Sequence, residues 1–209
     1  MLDARRPRRV KPGETPREQA CSPEHAPTPG PEATSRITQR KRPPLYLSTQ
    51  ASMTVVGISD LAAVSKAGRL ITYALGSCVG VVGYDERARV AGLLHVLLPH
   101  SDADAERAVL RPATYADTGI PALLLAMRRL GADPQTSRFR LAGGASMLKS
   151  SATLQVGQRN VLAVRKAIGK AGLLVQGEAV GGTQPRTMSV DSQTGLVTIA
   201  SPGRPEVVL

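Results

Sequence analysis

A thiol and an imidazole are the pair of side chains best suited to nucleophilic chemistry near neutral pH, because the thiolate attacks readily and histidine can take and return its proton. The chain has 209 residues with two cysteines and three histidines. Cys78 stands in Thr72-Tyr73-Ala74-Leu75-Gly76-Ser77-Cys78-Val79-Gly80-Val81-Val82, and His95 in Gly92-Leu93-Leu94-His95-Val96-Leu97-Leu98-Pro99. A free thiol titrates near ~8.5, and a nearby imidazolium or backbone N–H dipoles lower that. Gly76 and Gly80 flank Ser77-Cys78-Val79, which lets the backbone turn tightly and leaves room for a substrate chain and oxyanion donors. The competing readings are a small buried core cysteine and a hydrogen-bonded core histidine, both common fates of these residue types.

Spacing bears on the choice. Val79 to Tyr84 and Val90 to Leu98 are apolar runs separated by the polar Asp85-Glu86-Arg87-Ala88-Arg89, a hairpin pattern. With a loop over Asp85 to Ala88, Tyr84 faces Arg89 and Cys78 lies directly opposite His95, with Cβ atoms about 5 Å apart. A slip of one residue would put the two on opposite faces. Other chemistries fit less well. Apart from Cys21 and His25, no Cys/His pair has zinc-ligand spacing, so no metal or other cofactor is expected. Gly76-Ser77-Cys78-Val79-Gly80 has the form of a nucleophile elbow, but a strand-like run follows the cysteine and the histidine is too near. Gly143-Gly144 and Gly181-Gly182 lack the lysine and spacing of phosphate loops and read as turns.

The elements that must position these residues are mostly strands. Thr54 to Ser59, Leu70 to Leu75, Arg138 to Leu141 and Leu173 to Val180 add to the hairpin, and Thr187 to Val190 with Leu196 to Ala200 form another around Asp191-Ser192-Gln193-Thr194-Gly195. Lys66 to Arg69 reads as part of a loop, as does the polar stretch His100 to Glu106. A helix follows with Ala122, Leu123, Met127 and Leu130 as its apolar stripe and Gly131 at its end. Asn160 reads as the N-cap of a second helix running to about Lys170. Many strands with two helices predict a single mixed α/β domain, layered β-sheets with helices packed on one side.

That domain is expected over residues 53–209. Residues 1–52 are basic and proline-rich, with nine of the sixteen prolines before Leu45 and +5 of the net charge of +11 in residues 1–44. Such a stretch cannot bury enough surface to offset chain entropy, so a disordered tail is expected, and Met53 is an alternative start. Arg40-Lys41-Arg42 reads as a solvated basic linker, since no aromatics are interleaved to stack bases, and no specific nucleic-acid partner is expected. Met1-Leu2-Asp3-Ala4-Arg5-Arg6 lacks the apolar stretch of a secretory signal and no apolar run approaches the ~20 residues of a membrane span, so a cytoplasmic protein without membrane insertion is expected.

Taken together, the blocks resemble one family, the chemoreceptor glutamine deamidases known as CheD. The resemblance runs from Leu75-Gly76-Ser77-Cys78-Val79-Gly80-Val81 through Tyr84-Asp85 and Gly92 to Pro99. It continues in Tyr115-Ala116-Asp117, Pro121-Ala122-Leu123-Leu124, Gly143-Gly144-Ala145-Ser146-Met147 and Gly157-Gln158-Arg159-Asn160, and ends in Gly181-Gly182 with Arg186, covering about Val55 to Ala200. It implies a fold similar to bacterial toxin deamidases and an active site of Cys78, His95 and, as the third residue, Thr72. It further implies hydrolysis of glutamine side chains on the cytoplasmic helices of chemoreceptors through a γ-glutamyl thioester; separately, a monomer is expected. The same resemblance implies docking to a CheC-type phosphatase, so a non-catalytic regulatory module is the alternative. Ala142 and Gln184-Pro185 depart from the family pattern, and the tail lies outside it.

Overall fold

The computed structural model describes residues 52–146 and 151–209, and the side chains of 52–146 and 156–209. The elements in chain order are β1 (Ser52–Val55), β2 (Leu61–Ser65), β3 (Gly68–Leu75), β4 (Val79–Asp85), β5 (Val90–Val96), α1 (Ala105–Leu110), α2 (Ala116–Arg129), β6 (Arg138–Gly143), α3 (Ser151–Lys170), β7 (Val175–Val180), β8 (Arg186–Asp191), β9 (Val197–Ala200) and β10 (Val207–Val208). They build two five-stranded sheets, one ordered β1-β3-β8-β9-β10 and the other β2-β5-β4-β6-β7.

The second sheet is the middle layer. One face packs on the first sheet through Leu70, Leu75, Val82, Leu93, Met188 and Ile199. Its other face packs on α2 and α3 through Val81, Leu94, Ile120, Leu123, Met127, Val164 and Ile168. Burial on both faces explains why β4 and β5 read as continuous apolar runs rather than alternating ones. The first sheet is covered on one face only, and β3 alternates accordingly. This is the expected mixed α/β architecture, with helices on one side of layered sheets. Among the described residues, no helix is long and apolar enough to cross a membrane.

Several local expectations are corrected. The loop expected before Arg69 contains β2, whose Leu61-Ala62-Ala63-Val64-Ser65 pairs antiparallel with β5. Its alanines are poor strand formers, and the pairing overrides their preference. The first strand stops at Val55 rather than Ser59. Short α1 begins at Ala105, inside the expected loop, capped by the Asp104 carboxylate on the Arg107 N–H. Asn160 is not an N-cap: α3 starts at Ser151 and Asn160 lies in its interior. The tail expected over residues 1–52, with Cys21, His25 and Arg40-Lys41-Arg42, lies outside the described residues except for Ser52, which begins β1.

Candidate functional site

The β4–β5 hairpin differs in register from the simplest expectation. Asp85 stays in the ladder opposite Val90, and Gly80, not Cys78, is the partner of His95. The cause is local. The Asp85 carboxylate accepts the N–H groups of Arg87 and Ala88, and Arg89 closes the turn at φ 51°, moving the loop one residue along. Opposed pairs therefore shift by two residues, and a shift of two keeps every side chain on its face. Cys78 precedes Gly80 by two residues, and it belongs to the apolar cluster between the sheets. Cys78 and His95 are thus diagonal rather than direct neighbours.

His95 is fully buried, as is Thr72. Its main chain is fixed by the β1–β2 connection, with the His95 N–H on the Asp60 carbonyl and the Ser59 N–H on the His95 carbonyl. Its Nδ1 lies 2.7 Å from Thr72 Oγ1, and that hydroxyl lies 2.7 Å from the carbonyl oxygen of Val56. A hydroxyl has one proton and a carbonyl can only accept, so Thr72 donates to Val56 and accepts from His95 Nδ1–H. The imidazole is thereby held as the tautomer with a lone pair on Nε2, which has no hydrogen-bond partner among the described residues. An acceptor without a proton is what a general base requires.

Thr72 faces inward by the regular alternation of β3, and a β-bulge follows it. Thr72 pairs with Met188 and Leu75 with Arg186, so Tyr73 and Ala74 of β3 together oppose Thr187 of β8, with Ala74 at φ 56°. Both Thr72 and Leu75 then face inward although they are three apart.

Burial sets the protonation of the pair. It pushes His95 down from 6.5 to about 4. It pushes the Cys78 thiol up, opposed by the cysteine's own backbone N–H. Both shifts favour the neutral forms, a thiol at Cys78 and a neutral imidazole at His95, near pH 7. Cys78 keeps 8% exposure against 0% for the other two, so it is the one of the three that solvent reaches.

The structure thus brings Thr72 and His95 into contact and puts Cys78 on their face of the sheet. Two residues to which the sequence assigns no part in the site join them. Val56 fixes the hydroxyl proton, and Asn160 donates from Nδ2 to the carbonyls of Ser77 and Leu97 at 2.9 and 3.0 Å. Asparagine is a poor helix former in an interior position, and that mismatch was the available signal for Asn160. Among the described residues, no three or more His, Cys, Asp or Glu side chains gather to hold a metal ion. Two clefts of about 660 Å³ flank α2, and neither is lined by Thr72, Cys78 or His95.

A family model described as CheD chemotactic sensory transduction matches residues 97–201. A Syntrophus aciditrophicus protein named "Probable chemoreceptor glutamine deamidase CheD 1" is 41% identical over 152 residues, covering 72% of this chain and 95% of the relative. Relatives named "Probable chemoreceptor glutamine deamidase CheD" include one from Desulforamulus reducens, 43% identical over 157 residues (74% and 93% covered). One from Thermococcus kodakarensis is 41% identical over 155 residues (73% and 95%).

Proposed function

The chain belongs to the CheD family, and on that premise we propose that it is a protein-glutamine deamidase that converts glutamine side chains of chemoreceptors to glutamate, with Cys78 as nucleophile, His95 as base and Thr72 as the residue that orients His95. The observation that carries the assignment is the Thr72–His95 hydrogen bond, which leaves Nε2 unprotonated on the Cys78 face.

In the first half-reaction His95 Nε2 takes the Cys78 proton as Sγ bonds to the carboxamide carbon, and backbone N–H groups steady the oxyanion. The imidazolium returns that proton to the nitrogen, the C–N bond breaks, ammonia leaves and a γ-glutamyl thioester remains on Cys78. In the second, His95 takes a proton from water as its oxygen attacks the thioester. The C–S bond breaks, glutamate is released and the thiol regains its proton from His95. The Thr72 oxygen stabilises each imidazolium through Nδ1–H, as a third group does in triads generally.

Residues 53–209 form the deamidase domain in this proposal, and a CheC-type phosphatase is its regulatory partner. The test is incubation of the full chain with a receptor cytoplasmic fragment, following ammonia release and the amide-to-acid mass change by peptide mapping. Conversion at discrete glutamines is the expected result. No conversion of any glutamine overturns the proposal.

A further inference from the structure

We propose that Asn160 is a positioning residue for the oxyanion site: it aims the backbone N–H of Cys78 at the reacting carbonyl oxygen. The inference rests on the deamidase reading above and asks which group stabilises its tetrahedral intermediate.

Cys78 sits where the ladders of β4 come apart. On the β5 side the last pair is Val79 with Val96. Beyond it, the N–H groups of Leu97 and Leu98 both turn to the Thr114 carbonyl, and the Leu98 carbonyl accepts from Ala116. On the β6 side the last pair is Val79 with Gly143, and the next step forms only by half. The Gly144 N–H donates to the Cys78 carbonyl at 2.7 Å, but no bond returns from the Cys78 N–H. Gly143 and Gly144 have φ of 105° and 61°, which turns the Gly144 carbonyl against α3 at Gly157. The Cys78 N–H therefore meets no carbonyl among the described residues.

Asn160 controls where that N–H points. The peptide group is planar and trans, so the Ser77 carbonyl and the Cys78 N–H share one plane and point in opposite directions. Asn160 Nδ2 holds the Ser77 carbonyl from one side and ties it to the Leu97 carbonyl, bridging the two strands where their own bonds stop. The Cys78 N–H is thereby turned the other way. That same N–H acts on the Cys78 sulfur, favouring the thiolate, so it lies on the side where a substrate carbonyl bonded to Sγ would carry its negative charge. Asn160 is itself fully buried, and its Oδ1 has no partner among the described residues. A buried amide kept with one end unsatisfied is expected where its other end performs a task that an apolar residue could not.

The discriminating experiment compares two reactions of the same thiol. Deamidation passes through an oxyanion, whereas alkylation of Cys78 by iodoacetamide displaces iodide at a saturated carbon and needs no oxyanion donor. In Asn160→Ala and Asn160→Asp we expect kcat for receptor-fragment deamidation to fall about 10–100-fold with KM nearly unchanged. Alkylation of Cys78 should fall clearly less than kcat, because misaiming the N–H weakens only one influence on the sulfur while the thiol, its burial and the base are intact. Asn160→Ser, which retains one donor, should give an intermediate kcat, and it carries the comparison should the alanine variant not fold. Parallel loss of both reactions in a folded variant, or unchanged kcat, overturns the role given to Asn160. Absence of deamidation by the native chain would instead overturn the deamidase reading itself.

Discussion

Thr72 Oγ1 and His95 Nδ1 are 2.7 Å apart across the interface between two different sheets. The contact therefore exists only when the sheets have packed, so the site reports on tertiary structure rather than on any local motif. It has two ends, because Val56 fixes the hydroxyl proton and the hydroxyl fixes the imidazole tautomer.

Thr72→Val keeps the shape of the side chain and removes the hydroxyl. Two buried groups, His95 Nδ1–H and the Val56 carbonyl, then lose their partner, which costs roughly 2–4 kcal/mol of stability. Deamidation should fall roughly 10–100-fold as the base loses its orientation. Thr72→Ser should recover most of both. Urea melts and kcat on a receptor fragment check this, and equal behaviour of the valine and serine variants would contradict it.

His95 also makes stability depend on pH. Its folded pKa, about 4, lies below the ordinary 6.5, so between these values the unfolded chain binds more protons. The stabilisation from burying the neutral ring is present above 6.5 and is lost as pH falls from 6.5 towards 4, by about 3 kcal/mol in all. Urea midpoints at pH 7 and 4.5 should differ more in the native chain than in His95→Asn, where this contribution is absent. Equal pH dependence in the two would refute the burial of a neutral imidazole.

Burial pushes the Cys78 thiol up and His95 down, which favours a neutral resting pair over a thiolate–imidazolium ion pair. Iodoacetamide labelling of Cys78 should rise steadily from pH 6 to 9. A plateau reached by about pH 6 would mean a preformed ion pair and would contradict the neutral resting state.

Much of this arrangement was legible in the sequence. Composition and run lengths indicated a mixed α/β fold, and Cys78 and His95 could be placed on one face of one hairpin. The face was right although the register was not, because the true pairing differs by two residues and parity survives such a shift. The register itself was hidden in the Asp85 side chain, whose bonds to Arg87 and Ala88 leave no trace in hydrophobic pattern. Strand β2 was hidden in alanines that only β5 makes extended. By residue type Asn160 suits a helix start, and only the packing of α3 on the ends of β4 and β5 gives it another task.

Asp85 supplies a control distant from the chemistry. One of its carboxylate oxygens accepts from Arg87 and Ala88, and the other from the Asp133 N–H at 2.7 Å, tying the hairpin to the segment after α2. Burial alone would raise its pKa, but these N–H groups together with Thr136 hold it below the ordinary carboxylate range. Asp85→Ala should cost about 2–4 kcal/mol. At a temperature where the variant is folded, kcat should remain within about twofold of native. A selective loss of kcat without loss of stability would give Asp85 a different role.

The measurement closest to the central claim is amide hydrolysis on a receptor cytoplasmic fragment by the native chain, Cys78→Ala and His95→Ala, read as ammonia released and as glutamine-to-glutamate conversion in the same samples. The native chain should release one ammonia for each glutamine converted, and both variants should fall to the uncatalysed background. Conversion by Cys78→Ala at the native rate would contradict the account.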